Sequence, residues 1–230
     1  MIHYHGTPIT PRKHLLEMFG KNFCVSFADP RDIEIVIKRG QSVMMDNGAF
    51  SSYTRNLEFK PEKFCNWVEK YLAHPHWAVI PDKIGGTVEE QRKMLKNWVF
   101  PKELSAPVFH LHLNLDWLLE LADNFPKICL GSSNDYWKVG NEGWVRRMDA
   151  IFECLLKKRK HLPWIHGMRM LGQTEGRYPL ASADSTNVAR NSKEITTRNK
   201  PFVHPELLAS KIDVKQTPVH YIPNPQKSFW

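Results

Sequence analysis

Along the chain, short apolar runs of three to five residues alternate with longer stretches in which apolar residues recur every three or four positions. The first pattern suits strands buried on both faces, and the second suits helices that bury one stripe. Their alternation predicts repeated βα units around a parallel sheet. Eight strand candidates stand at residues 2–5, 23–27, 43–46, 77–80, 107–110, 127–130, 164–166 and 179–183. The clearest helix covers 142–160, where Trp144, Met148, Ile151, Phe152 and Leu155 share one stripe and Arg146, Arg147, Asp149 and Glu153 face elsewhere. Residues 61–72 repeat that logic, with Pro61 suited to a first helical position. Thr87 followed by Glu90 forms the pattern of a capping box opening a helix over 88–99, and 11–19, 30–38 and 115–124 complete the set.

Eight alternations fit a compact (β/α)8 barrel of the TIM type over residues 1–200, and 230 residues lies near the lower end for that fold. Residues 201–230 read as an irregular Pro-rich tail packed on the barrel or on a partner. An open doubly wound sheet is the competing arrangement, but the Gly-rich phosphate loop expected after its first strand is missing.

Composition narrows the class. A hydrophobic fraction of 42% with 11% aromatics belongs to a folded chain. No apolar run approaches the roughly 20 residues of a membrane span, and MIHYHGTPIT lacks the features of a secretory signal. The expectation is a cytoplasmic protein without a membrane partner. Cys24, Cys65, Cys129 and Cys154 are scattered with no zinc-ligand spacing, which argues against a structural zinc site and for free thiols. No cofactor is expected. A net charge of +8 and a pI near 9.3 favour a polyanionic partner, because Lys and Arg that neutralise phosphates release condensed counterions. Basic residues concentrate at 155–161 and 188–200.

Polar residues recur where the strands end: His5, Asp46, Asp82, His110 and His112, Gly131-Ser132-Ser133, His166 and Asp184. In a barrel of this type the carboxyl ends of the strands converge on one mouth, and active sites sit there. Each residue has a plainer reading. Asp82 suits an N-cap for the helix near Thr87, and each histidine suits a hydrogen-bonded core residue. A His/Asp metal centre is a further alternative. Asp46 is followed by Asn47-Gly48, a turn that lets backbone N–H groups face a ligand.

Five segments in order resemble the signature stretches of tRNA-guanine transglycosylases and of related enzymes that install deazaguanine bases in DNA. Asp46-Asn47-Gly48-Ala49-Phe50-Ser51 resembles the family's Asp-Ser-Gly-Gly-Phe-Gln-like element, and VIPDKIGG its middle strand with a base-reading Asp, here Asp82. ICLGSS resembles the Gly-rich strand end, with Gly131 and Ser132, and WIHGMRMLG the His-Gly-Met strand, with His166 and Gly167. The segment from Asp184 to Asn191 resembles the stretch that carries the late Asp. The resemblance implies that Asp184 attacks or stabilises the sugar C1′ and that Asp46 handles a proton on the base or activates water. It also implies that Asp82, with His110, His112 or His166, reads base edges beside Asn47, Gly48 and Phe50. Arg190, Lys193, Arg198 and Lys200 are candidates for flanking phosphates. The family's zinc-binding subdomain is absent, and Phe109-His110-Leu111-His112 replaces its Gly-x-x-Gln-Gly element. These departures favour excision of a modified base from DNA, an activity that would suit phage defence. Base exchange in DNA or tRNA and a non-catalytic nucleic-acid-binding module are the alternatives.

Overall fold

A computed structural model describes residues 1–56, 58–173, 177–191 and 203–214. The strands are β1 (Ile2–Gly6), β2 (Asn22–Ser26), β3 (Ser42–Asp46), β4 (Trp77–Val79), β5 (Ser105–Ala106), β6 (Val108–His110), β7 (Lys127–Gly131), β8 (Trp164–Gly167) and β9 (Ser182–Ser185). They form one parallel sheet in the order β5-β4-β3-β2-β1-β9-β8-β7-β6. The two ends of that order are consecutive in the chain, with only Pro107 between them. Proline has no N–H to give, so the ladder breaks there. The Ala106 carbonyl accepts from Ile80 N–H and the Pro107 carbonyl from Cys129 N–H, both at 2.9 Å. One extended run thus serves β4 with its first half and β7 with its second, and the sheet is nearly closed into a barrel.

The helices lie outside: α1 (Arg12–Glu17), α2 (Ile33–Arg39), α3 (Ala49–Thr54), α4 (Pro61–Glu69), α5 (Val88–Lys96), α6 (Leu115–Asn124), α7 (Glu142–Lys158), α8 (Asn187–Asn191) and α9 (Pro205–Val214). The capping box of α5 forms, with the Thr87 hydroxyl accepting from Glu90 N–H and the Glu90 carboxylate from Thr87 N–H. Two elements depart from the sequence expectation. The stretch after Asp46 starts a short helix, α3, and the C-terminal region expected to be irregular contains α9, which packs on α1, α8 and β1. Pro205 opens α9, a position where its missing N–H costs nothing. Between β8 and β9 the described residues hold a single 3₁₀ turn, Leu171–Gln173, instead of an α-helix. No helix among them is long and apolar enough to cross a membrane.

Alternation sorts the strand residues. Tyr4, Cys24, Met44, Trp77, Val108 and Cys129 form a buried cluster that contains no helix residue, which makes it the interior of the curved sheet. The intervening residues, such as Phe23, Val43 and Met45 on one side and Phe109, Ile128 and Leu130 on the other, meet the helices. The stripe read on α7 is buried as expected, each side chain contributing about 1.5–3 kcal/mol. The four cysteines are free.

Candidate active site

The same alternation decides which strand-end side chains look inward. Met44 in the interior puts Asp46 two residues on, at the carboxyl-end mouth of the sheet. A cavity of about 950 Å³ opens there, and both Asp46 and Asp184 line it, together with Ser26, Phe50, Arg169 and Arg190. Two acids far apart in sequence therefore share one space. A smaller recess of about 40 Å³ adjoins it, walled by Asp82, His110, Gly131 and Ser132, with Asp46 and Arg169 common to both.

Asp184 is held by donors. Its Oδ1 accepts the backbone N–H of Arg169 at 2.8 Å and lies 3.2 Å from His166 Nε2. His166 Nδ1 is 2.8 Å from Ser182 Oγ, which accepts Trp164 Nε1–H at 2.8 Å. Indole nitrogen only donates, so the serine proton is left for His166 Nδ1, and Nε2–H is the tautomer that can face a carboxylate. Arg169 sits at φ 57°, in the left-handed region that a non-glycine residue enters at a cost. That conformation turns its N–H onto Asp184. Its guanidinium lies 3.9 Å from the Phe50 ring centre, and Nη2 donates to the Ser132 carbonyl at 3.2 Å. Burial lowers the Arg169 pKa, while Asp184 and Asp46 oppose that shift.

Asp46 has different surroundings. Burial pushes its carboxyl up to about 6, assisted by the charges of Asp184 and Asp82 and opposed by hydrogen bonds from Ser26 and from Gly48 N–H. In the recess, Asp82 receives Asn47 Nδ2–H on Oδ1 at 2.7 Å and lies 2.9 Å from His110 Nε2 through Oδ2. His110 Nδ1 then reaches Ser133 Oγ at 3.2 Å. Gly131 leaves room for this, since a Cβ there would come within 3.0 Å of Val108 and 3.4 Å of His110.

Several expectations are corrected. His5 points outward beneath α9, where Nε2 pairs with Asp213 at 3.0 Å, because its neighbour Tyr4 takes the interior. His112 lies outside both spaces and bonds the Gly86 carbonyl at 3.2 Å. Gly167 faces the outer layer, where a Cβ would meet Met170 at 2.9 Å. At the Asn47-Gly48 turn two backbone N–H groups are taken up by side chains. Ala49 N–H goes to Asn47 Oδ1 at 2.8 Å and Gly48 N–H to Asp46 at 3.2 Å. Asn47 also gives its amide to the Ile80 carbonyl, so it braces Asp82. Asp82 is no helix N-cap, since Thr87 takes that place. Arg190 lines the cavity from α8, whereas Lys193, Arg198 and Lys200 lie outside the described residues. The acids and histidines of the rim do not bring three donors within 4.8 Å of one another. Arg169, Ser26 and the Trp164–Ser182 pair were not singled out from the sequence. Arg169 carried one signal, a lone cation just past the His166 strand end. Comparisons with protein-family models, with curated proteins and with solved structures gave no match.

Proposed function

We propose that the chain is a (β/α)8-barrel enzyme that cleaves the bond between base and sugar in nucleic acid, DNA in preference to RNA, and releases a modified base. The observation that carries this reading is the single cavity holding two carboxylates in unlike surroundings. Asp46 is partly buried at the cavity wall with its pKa raised to about 6, while Asp184 accepts from the Arg169 N–H and faces His166. Pairs of acids whose environments differ in this way divide proton transfer from charge stabilisation.

In the proposed reaction Asp46, in its protonated form, gives its proton to the departing base as the C1′–N bond breaks and the bonding electrons leave with the base. Asp184 stabilises the oxocarbenium-like sugar from a fixed position. Water then adds to C1′, and its proton returns to Asp46. The recess beside Asp46, with the Asp82–His110 pair at its wall, suits recognition of the base edge. A volume of about 950 Å³ lies within the range of small-molecule sites and leaves room for an extruded nucleotide. Arg169, Arg190 and the net charge of +8 supply cations for phosphates.

The direct test incubates the protein with a panel of DNAs carrying modified bases and looks for free base by mass spectrometry and for abasic sites. Release is expected, and Asp184→Asn should abolish it while leaving DNA affinity unchanged. Normal turnover by that variant, or intact DNA across the panel, would refute the reading. Incorporation of a labelled deazaguanine instead of net release would mean base exchange.

A further inference from the structure

Away from the cavity, the fold brings a second group of side chains to one point. His14 and Glu17 stand three residues apart on α1, and therefore on one face of it. His204 immediately precedes α9, where its carbonyl accepts Leu208 N–H at 3.0 Å. His14 Nδ1 lies 3.1 Å and His204 Nε2 lies 2.7 Å from the same oxygen, Glu17 Oε2. The two imidazole rings are 5.1 Å apart and nearly perpendicular, and the three donor atoms all lie within 4.8 Å of one another. Among the described residues no other set of three His, Cys, Asp or Glu donors converges in this way.

We infer that His14, Glu17 and His204 bind one zinc ion that clasps α9 to α1. Two imidazoles with one carboxylate make a donor set that zinc takes, whereas magnesium and calcium prefer all-oxygen sets. Ligands at about 2.0–2.1 Å on a tetrahedron stand roughly 3.3 Å from one another. The donors need only side-chain adjustment to reach that spacing. His14 is almost fully buried and fixes one corner, while Glu17 and His204 are part-exposed and leave water access to the fourth position. The clasp has a structural consequence. α9 packs on α8, which carries the Asn187, Arg190 and Asn191 wall of the cavity, so an ion at α1 and α9 braces that wall from behind.

The competing arrangement is a carboxylate bridging two imidazoles by hydrogen bonds, with no ion. To separate the two, the full chain is stripped with a chelator and titrated with zinc chloride against a chromophoric competitor. One equivalent should bind. His204→Gln and Glu17→Gln, both at part-exposed positions, should each weaken binding on the order of 100-fold. Zinc should raise the thermal midpoint of the unaltered chain but not that of His204→Gln. Asp46→Asn should keep the full equivalent. Absence of binding to the unaltered chain, or an equivalent held as tightly by both variants, would overturn the site.

Discussion

Replacing Asp46 by Asn tests whether the cavity holds a carboxyl group against its preference. The group titrates near 6 in the folded chain, against 3.8 ordinarily. The folded state therefore binds this proton more tightly than the unfolded state does. From that single group the stability falls as pH rises from about 4 to about 6, by up to about 1.4 kcal/mol per pH unit. The destabilisation is absent below the lower value and complete above the upper one, where it amounts to about 3 kcal/mol. Asparagine does not titrate. Relative to the unaltered chain, Asp46→Asn should gain up to about 3 kcal/mol between pH 4 and pH 7, or roughly 6–12 °C in Tm for a domain of this size. Any change in the hydrogen bonds to Ser26 and Gly48 that does not depend on pH displaces the whole curve and cancels in this difference. The assay is urea unfolding of both proteins at intervals between pH 4 and pH 8. A stability difference that stays flat across that range would refute the claim that burial and the neighbouring acids strain Asp46.

The remaining expectations concern the groups around it. Arg169→Met keeps the apolar stem and loses the cation, so DNA binding followed by fluorescence anisotropy should weaken about 10- to 100-fold. Unchanged affinity would remove Arg169 from the binding surface. Gly48→Ala places a Cβ 3.0 Å from the Ala28 nitrogen at φ 74°, which should cost about 1–2 kcal/mol and lower Tm correspondingly. A neutral result would mean the turn relaxes. Finally, DNA affinity should fall linearly in log–log terms as salt rises, and a flat response would exclude a phosphate-binding role for the basic residues.

How much was legible in the sequence depended on whether the information was local. The α7 stripe, the Thr87–Glu90 cap and the alternation of elements are carried by neighbouring residues, and the structure contains all three. The placement of Asp46 and Asp184 on one cavity followed from strand-end positions alone. What failed turned on side-chain direction. The run Ile2-His3-Tyr4-His5 alternates, but alternation alone does not say which of its two faces looks into the barrel, and here the Ile2 and Tyr4 face does. Gly167 directly follows the inward-facing His166 on the same strand, so it faces outward although the resemblance pairs the two. Arg169 acts through a left-handed backbone conformation that no residue pattern announces. Pro205 belongs to a Pro-rich stretch whose composition suggests irregular chain, yet it opens a helix. The His14–Glu17–His204 group joins residues from the two ends of the described chain, so no local spacing could reveal it.

The pairing of β1 with β9 sets the order in which this protein can be completed. During synthesis the first strand emerges with one side matched by β2 and the other exposed until residues 182–185 arrive. At ribosomal speeds of roughly 5–20 residues per second that wait lasts on the order of 10–35 s. Throughout it a strand with His3, Tyr4 and His5 in sequence presents open backbone donors and acceptors to any neighbour. A nascent chain of this design gains from a chaperone that shelters the edge, and truncation before β9 should yield aggregate instead of a smaller folded body.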